Sequence, residues 1–73
     1  MDKYFKAEQF HNRYMQLYEH IVVVTLIDGT ALEGLYNDDF YEDEAILISL
    51  IDSPNVEIIK IDNIRKMELS PLD

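Results

Sequence analysis

The sequence predicts a mostly-β fold: an N-terminal α-helix over residues 1–20, a small barrel of five short strands over 21–69, and a tail at 70–73. Three observations carry this expectation. Apolar residues at three- and four-residue spacing mark one face of a helix in the first twenty positions. From Ile21 the pattern changes to β-branched runs separated by turn residues. Both glycines of the chain then fall in one window, "TLIDGTALEG", Thr25 to Gly34. There a hairpin turn and a bend in the following strand each call for one.

The helix is read from Phe10, Tyr14, Leu17, Tyr18 and Ile21, with Lys6, Gln9, Arg13 and Gln16 largely opposite. Asp2 or a residue soon after it is the expected cap, and Glu19-His20 the expected exit. "IVVVTLI" is the first strand, and Asp28-Gly29 is a strong hairpin signal. The second strand starts at Ala31 and contains Gly34, a position that marks a bulge, a sharp bend or a close backbone approach. "AILISLI" is the third strand. "DSPN" is a turn in which Pro54 pre-sets φ. "VEIIKI" is the fourth strand, "DNI" a single turn, and "RKMEL" a short fifth strand before a frayed "SPLD" end.

Seventy-three residues make one domain. A chain this short buries only ~60% of its unfolded surface. Small domains therefore add disulfides, metals or partner subunits. The chain has no cysteine, which excludes disulfides and thiolate metal sites and leaves subunit association as the staple. A hydrophobic content of 48% argues against disorder. "MDKYFKAEQF" is no secretory leader, "IVVV" is far too short to span a bilayer, and no N-x-[ST] acceptor occurs. The expectation is a cytoplasmic protein with no membrane partner.

Charge is unevenly placed. Up to His20, Asp2, Glu8 and Glu19 balance Lys3, Lys6 and Arg13; the remainder carries the whole formal charge of −9, with only Lys60, Arg65 and Lys66 as cations. Phosphate neutralisation by Lys and Arg supplies most non-specific nucleic-acid affinity. Such a surface disfavours RNA unless a local basic site overcomes the global field.

Val22, Val24, Leu26, Asp28 and Gly29 stand as V-x-V-x-L-x-D-G, Gly34 follows Gly29 by five, and "IKIDNI" runs from Ile59 to Ile64. On these residues the chain resembles the Sm-like (LSm) family, within the broader class of SH3-like small barrels, from the helix to Leu69. The resemblance implies a homo-oligomeric ring, and an RNA pocket built from the loop after the second strand and the late I-R-G-x-N-I segment. Carried over, the pocket falls on Asp38, Asp39 and Phe40 with Lys60 and Asn63. This chain departs from the pattern where acidic residues such as Glu42 replace the loop Asn, Lys60 replaces the Arg and Ile61 replaces the Gly. A lysine is a point charge where a guanidinium stacks and forks.

Assembly is also read directly from the residues. In "VEIIKI", Val56 and Ile58 point one way while Ile59 and Ile61 point the other. An antiparallel strand in an isolated barrel shows a polar outer face, so apolar residues on both faces imply that a neighbouring subunit covers one. The edge of "RKMEL", carrying Met67, offers backbone groups for pairing.

The acidic run Asp38, Asp39, Glu42, Asp43 and Glu44 invites a hard-cation hypothesis, but it lacks EF-hand spacing, and a solvated loop is the simpler account. Phe40 and Tyr41 either plug the barrel mouth or meet a partner. His11 and His20 fall on nearly opposite helix faces and form no joint site. No nucleophile elbow, phosphate-cradling loop or paired His/acid arrangement is visible, so no enzyme, cofactor or metal is expected. Lys60, Arg65 and Lys66 read either as a reduced RNA patch or as ion-pair partners for acids of neighbouring protomers. Two functions stand: an RNA-binding Sm-like ring, or an acidic, non-catalytic assembly or protein-interaction module.

Overall fold

The computed structural model describes residues 3–73. It is mostly β with an N-terminal helix: α1 (Phe5–Tyr14), a 3-10 turn (Met15–Leu17), β1 (Ile21–Leu26), β2 (Ala31–Phe40), β3 (Ala45–Leu50), β4 (Val56–Lys60), a second 3-10 turn (Ile61–Asn63) and β5 (Ile64–Leu69). The strands form one antiparallel sheet in the order β4-β3-β2-β1-β5. The sheet is open rather than closed: β4 and β5 are its two edges, and no pairing joins them among the described residues. No helix among those residues is long and apolar enough to cross a membrane.

Local chemistry explains the first hairpin. Gly29 takes φ 93, the left-handed region that glycine enters without a Cβ clash. The Asp28 carboxylate accepts from the Thr30 N–H at 2.9 Å, and Leu26 N–H donates to the Thr30 carbonyl at 2.8 Å. Gly34 has a different reason. A Cβ there would collide with the Ser49 carbonyl oxygen of β3 and come within 2.8 Å of the Ile48 Cγ2. The close approach of two strands, one of the roles its position suggested, is realised here.

Three elements depart from the expected bounds. The helix is shorter than 1–20: α-helical geometry ends at Tyr14, and Glu19 turns the chain into β1 with φ 68. The expected Asp2 cap lies outside the described residues. Tyr4 occupies the cap position but its side chain makes no capping bond to the helix, and Glu44 Oε2 instead accepts from the Ala7 N–H at 3.1 Å. An orphan amide of the first turn is thus satisfied from the other end of the sheet. The second strand is longer than expected and includes Asp38, Asp39 and Phe40, so the acidic stretch is only partly a loop. The end at 70–73 is docked, not frayed. Ser70 is buried, its N–H donates to the Ile21 carbonyl at 2.8 Å, and its hydroxyl bonds Glu33.

The core is built from alternate positions of the strands, Val22, Val24, Tyr36, Ile46, Ile48, Ile59 and Met67, closed on one side by Phe10 of α1. Tyr14, Leu17 and Ile61 pack at its margin. The register shifts between Thr25 and Leu26 in the β1–β5 pairing, and between Tyr36 and Asp38 in β2–β3, around Asn37. A one-residue bulge exchanges the two faces of a strand. Beyond it, Asp39 lies opposite the core residue Ile46, while Asp38 pairs with Leu47 on the outer face.

Candidate functional site

That bulge separates the residues expected to meet RNA. Asp39 turns toward the helix. Asp38 is exposed, its Oδ1 accepting from the Asp39 N–H at 2.7 Å. Phe40 and Lys60 are brought together on the outer face, where they share a shallow cavity of about 290 Å³ with Asp43, Ala45 and Ile58. Lys60 Nζ donates to the Asp43 carbonyl at 2.9 Å and so ties β4 to the β2–β3 turn. Asn63 lies elsewhere, its carbonyl receiving the Ile27 N–H at 3.0 Å. Within the chain these five residues do not converge on a single pocket.

The residues expected at a subunit interface also divide. Ile59 and Met67 are each 4% exposed and belong to the core of the chain itself, and Ile61 packs against it. Val56 and Ile58 are 52% and 62% exposed. They point outward from β4, beside Ser49 and Leu47 of β3. Leu69, at the end of the opposite edge strand, is 51% exposed. The unburied apolar surface of the sheet is therefore concentrated on its two open edges.

A second surface was not foreseen. Between α1, the turn Ile61–Asn63 and the start of β5 runs a groove of about 280 Å³, lined by Lys6, Arg13 and Arg65 with Phe5, Phe10 and Tyr14 among others. Half of the chain's six Lys and Arg residues meet here, against a single carboxylate, Asp62. Lys6 Nζ lies 2.7 Å from Asp62 Oδ1, a contact that raises the lysine pKa. Arg13 and Arg65 make no ion pair among the described residues. The helical half was readable, because Phe5, Gln9 and Arg13 recur every four residues on one face. Its conjunction with Arg65, far away in sequence, was not.

Both histidines are satisfied, each by a carboxylate remote in sequence, and they share no joint site. His20 Nδ1 is 2.9 Å from Asp73 Oδ2, while Asp73 Oδ1 accepts from the Ile21 N–H at 2.8 Å. The Ile21 amide first, and His20 with it, hold the Asp73 carboxyl below its ordinary range. His11 Nε2 lies 2.6 Å from Asp39 Oδ2, which also accepts from the Tyr36 hydroxyl at 2.9 Å. Burial and then the bond to Asp39 push the Tyr36 phenol far above its usual range, so Tyr36 is a fixed donor at all ordinary pH. Asp39 is therefore an anchoring group between helix and sheet rather than part of a solvated run. Tyr41, with Phe40 the expected plug or partner contact, sets its ring 5.4 Å from that of His11 at a tilt and 5.5 Å from that of Tyr4, edge to face.

Compared with models of protein families, with curated proteins and with solved structures, the chain matches none. Its function is therefore argued from the surfaces themselves.

Proposed function

We propose that this chain is an Sm-like, non-catalytic assembly module whose copies join edge to edge into a closed homo-oligomer, a ring. The observation that carries the reading is the coincidence of two features at the same places. The strand order leaves β4 and β5 open, and Val56, Ile58 and Leu69, all more than half exposed, stand on those two strands. An open edge offers unpaired N–H and C=O groups, a liability unless a partner uses them. Pairing β4 of one copy with β5 of the next is heterologous, and a heterologous contact closes into a ring when its rotation permits. The V-x-V-x-L-x-D-G run and Gly34 support the same reading.

Light scattering at tens of micromolar tests it. The expected result is a single multimeric mass for the wild type and a monomer for Ile58→Asp. A wild type that stays monomeric overturns the proposal.

The basic groove favours a second reading, in which the assembled protein takes up short single-stranded nucleic acid. Guanidinium groups fork onto phosphates, and an exposed aromatic such as Phe5, 54% exposed, offers a stacking platform. The field of −9 limits this to weak, salt-sensitive binding. Fluorescence anisotropy with short U-rich and A-rich strands at two salt concentrations tests it. Loss of binding in Arg13→Glu or Arg65→Glu, but not in Lys60→Ala, assigns the contact to the groove. Loss in Lys60→Ala alone returns it to Lys60. No binding at low salt leaves an acidic assembly module with a protein partner.

A further inference from the structure

The His11–Asp39–Tyr36 cluster borders a cavity that neither the edges nor the basic groove involve. About 290 Å³ of space is walled by His11, Met15, Tyr18, Tyr36 and Asp39, close to the lower end of the range for small-ligand sites. Two features of it point to the charge of a guest.

The first is the carboxylate. The Asp39 side chain is only 12% exposed. Its Oδ2 takes both available donors, His11 and Tyr36, while Oδ1 is buried and accepts from no protein group. No lysine or arginine pairs with it among the described residues. A buried carboxylate oxygen that accepts no hydrogen bond is costly, and a positive charge in the adjoining cavity offsets that cost.

The second is the aromatic wall. The rings of Tyr18 and Tyr36 stand edge to face, 5.1 Å apart at 80°. Tyr18 is held in place by its hydroxyl, which donates to the Asn37 carbonyl at 3.2 Å. Met15, 62% exposed, supplies a flexible thioether wall that adjusts to a guest.

We propose that this cavity binds an organic ammonium group, with the Tyr18 ring meeting the cation and Asp39 serving as its counter-charge. Competing ligand classes fit less well. A hard metal ion wants six or more oxygen ligands, and no group of three or more His, Asp or Glu among the described residues is arranged to hold a metal. An anion meets Asp39 and the overall charge of −9. An uncharged guest leaves the carboxylate as it was. Tyrosine faces attract ammonium groups through the ring quadrupole, and an acidic protein raises the local concentration of cations. The ammonium is carried either by a free small molecule or by a modified lysine of another protein.

Titration of the whole chain, followed by ¹H–¹⁵N NMR, tests the proposal. The probes are tetramethylammonium, choline, a trimethyl-lysine peptide and 3,3-dimethylbutanol, the uncharged isostere of choline. The expected result is saturable shifts at the amides of Met15–Tyr18 and Tyr36–Asp39, at least ~tenfold weaker for the isostere. Tyr18→Leu and Asp39→Asn lose the binding. Because Tyr18 is 39% exposed, Tyr18→Leu carries the test should Asp39→Asn fail to fold, and it leaves β4 and β5 untouched. Tighter binding of the peptide than of choline assigns a protein side chain as the source, and equal binding assigns the free compound. Absence of saturable shifts up to roughly tens of millimolar, equal binding of the isostere, or unchanged binding in Tyr18→Leu overturns it.

Discussion

Gly34 and Asp73 show two ways in which a single residue ties distant parts of this chain together. At Gly34 the missing side chain is the contribution, because β2 and β3 approach so closely that a methyl group would strike the Ser49 carbonyl. Gly34→Ala is expected to destabilise by about 1–3 kcal/mol, the usual cost of overpacking, read as a lower urea midpoint. A midpoint equal to that of the wild type refutes the close approach. Asp73 acts through charge. Its carboxyl is held low by the Ile21 amide and His20, and the Asp28 carboxyl is held low by the Thr30 amide. A carboxyl whose folded pKa lies below its unfolded value adds stability above that unfolded value, near 4. The contribution is lost as pH falls through the folded value. Urea midpoints should therefore drop between about pH 5 and pH 2. Asp73→Asn should shrink that drop modestly, since the group is solvent-screened. Identical pH profiles for the two proteins would count against the contact.

At the scale of the element, β4 pairs a core face with an exposed one, and the proposed assembly draws only on the second. Its two faces are both apolar in sequence, yet one is core and the other exposed. Ile59→Ala removes a side chain packed in the core, opposite Ile46, and should cost about 2–5 kcal/mol. Ile58→Asp changes a side chain that is 62% exposed. It should leave the stability of the chain within about 0.5 kcal/mol while abolishing the proposed oligomer. Denaturation followed by circular dichroism, paired with light scattering, checks both. A dissociated but fully stable Ile59→Ala would reverse the assignment of the faces.

At the scale of the whole molecule the dominant quantity is the formal charge of −9. With three of the six cations gathered in one groove, the remaining surface repels itself and repels another copy. Salt screens such repulsion over a Debye length of about 10 Å at 0.1 M, and the apolar edges are indifferent to it. Adding about 0.5 M sodium chloride should raise the melting temperature and shift the population toward the oligomer. A melting temperature that falls with salt would show that the ion pairs, not the repulsion, dominate.

By itself the sequence determined the helix-then-strands order, the Asp28-Gly29 turn, the extents of β1, β3 and β4 to within a residue, and the excess of acid. Each rests on neighbours in the chain: a φ only glycine takes easily, a run of β-branched residues, a count of charges. The tertiary structure alone decided the rest. The bulge at Asn37 chose Asp39 over Asp38 for the helix side and joined it to His11. Glu44 became the partner of the first helical turn, Ser70 and Asp73 docked the end that looked frayed, and Arg13 met Arg65. None of these pairs is close in sequence, and no local preference specifies them. Spacing and propensity report on the backbone within a few residues, whereas each of these contacts exists because sheet register and helix packing carry two remote side chains to one place.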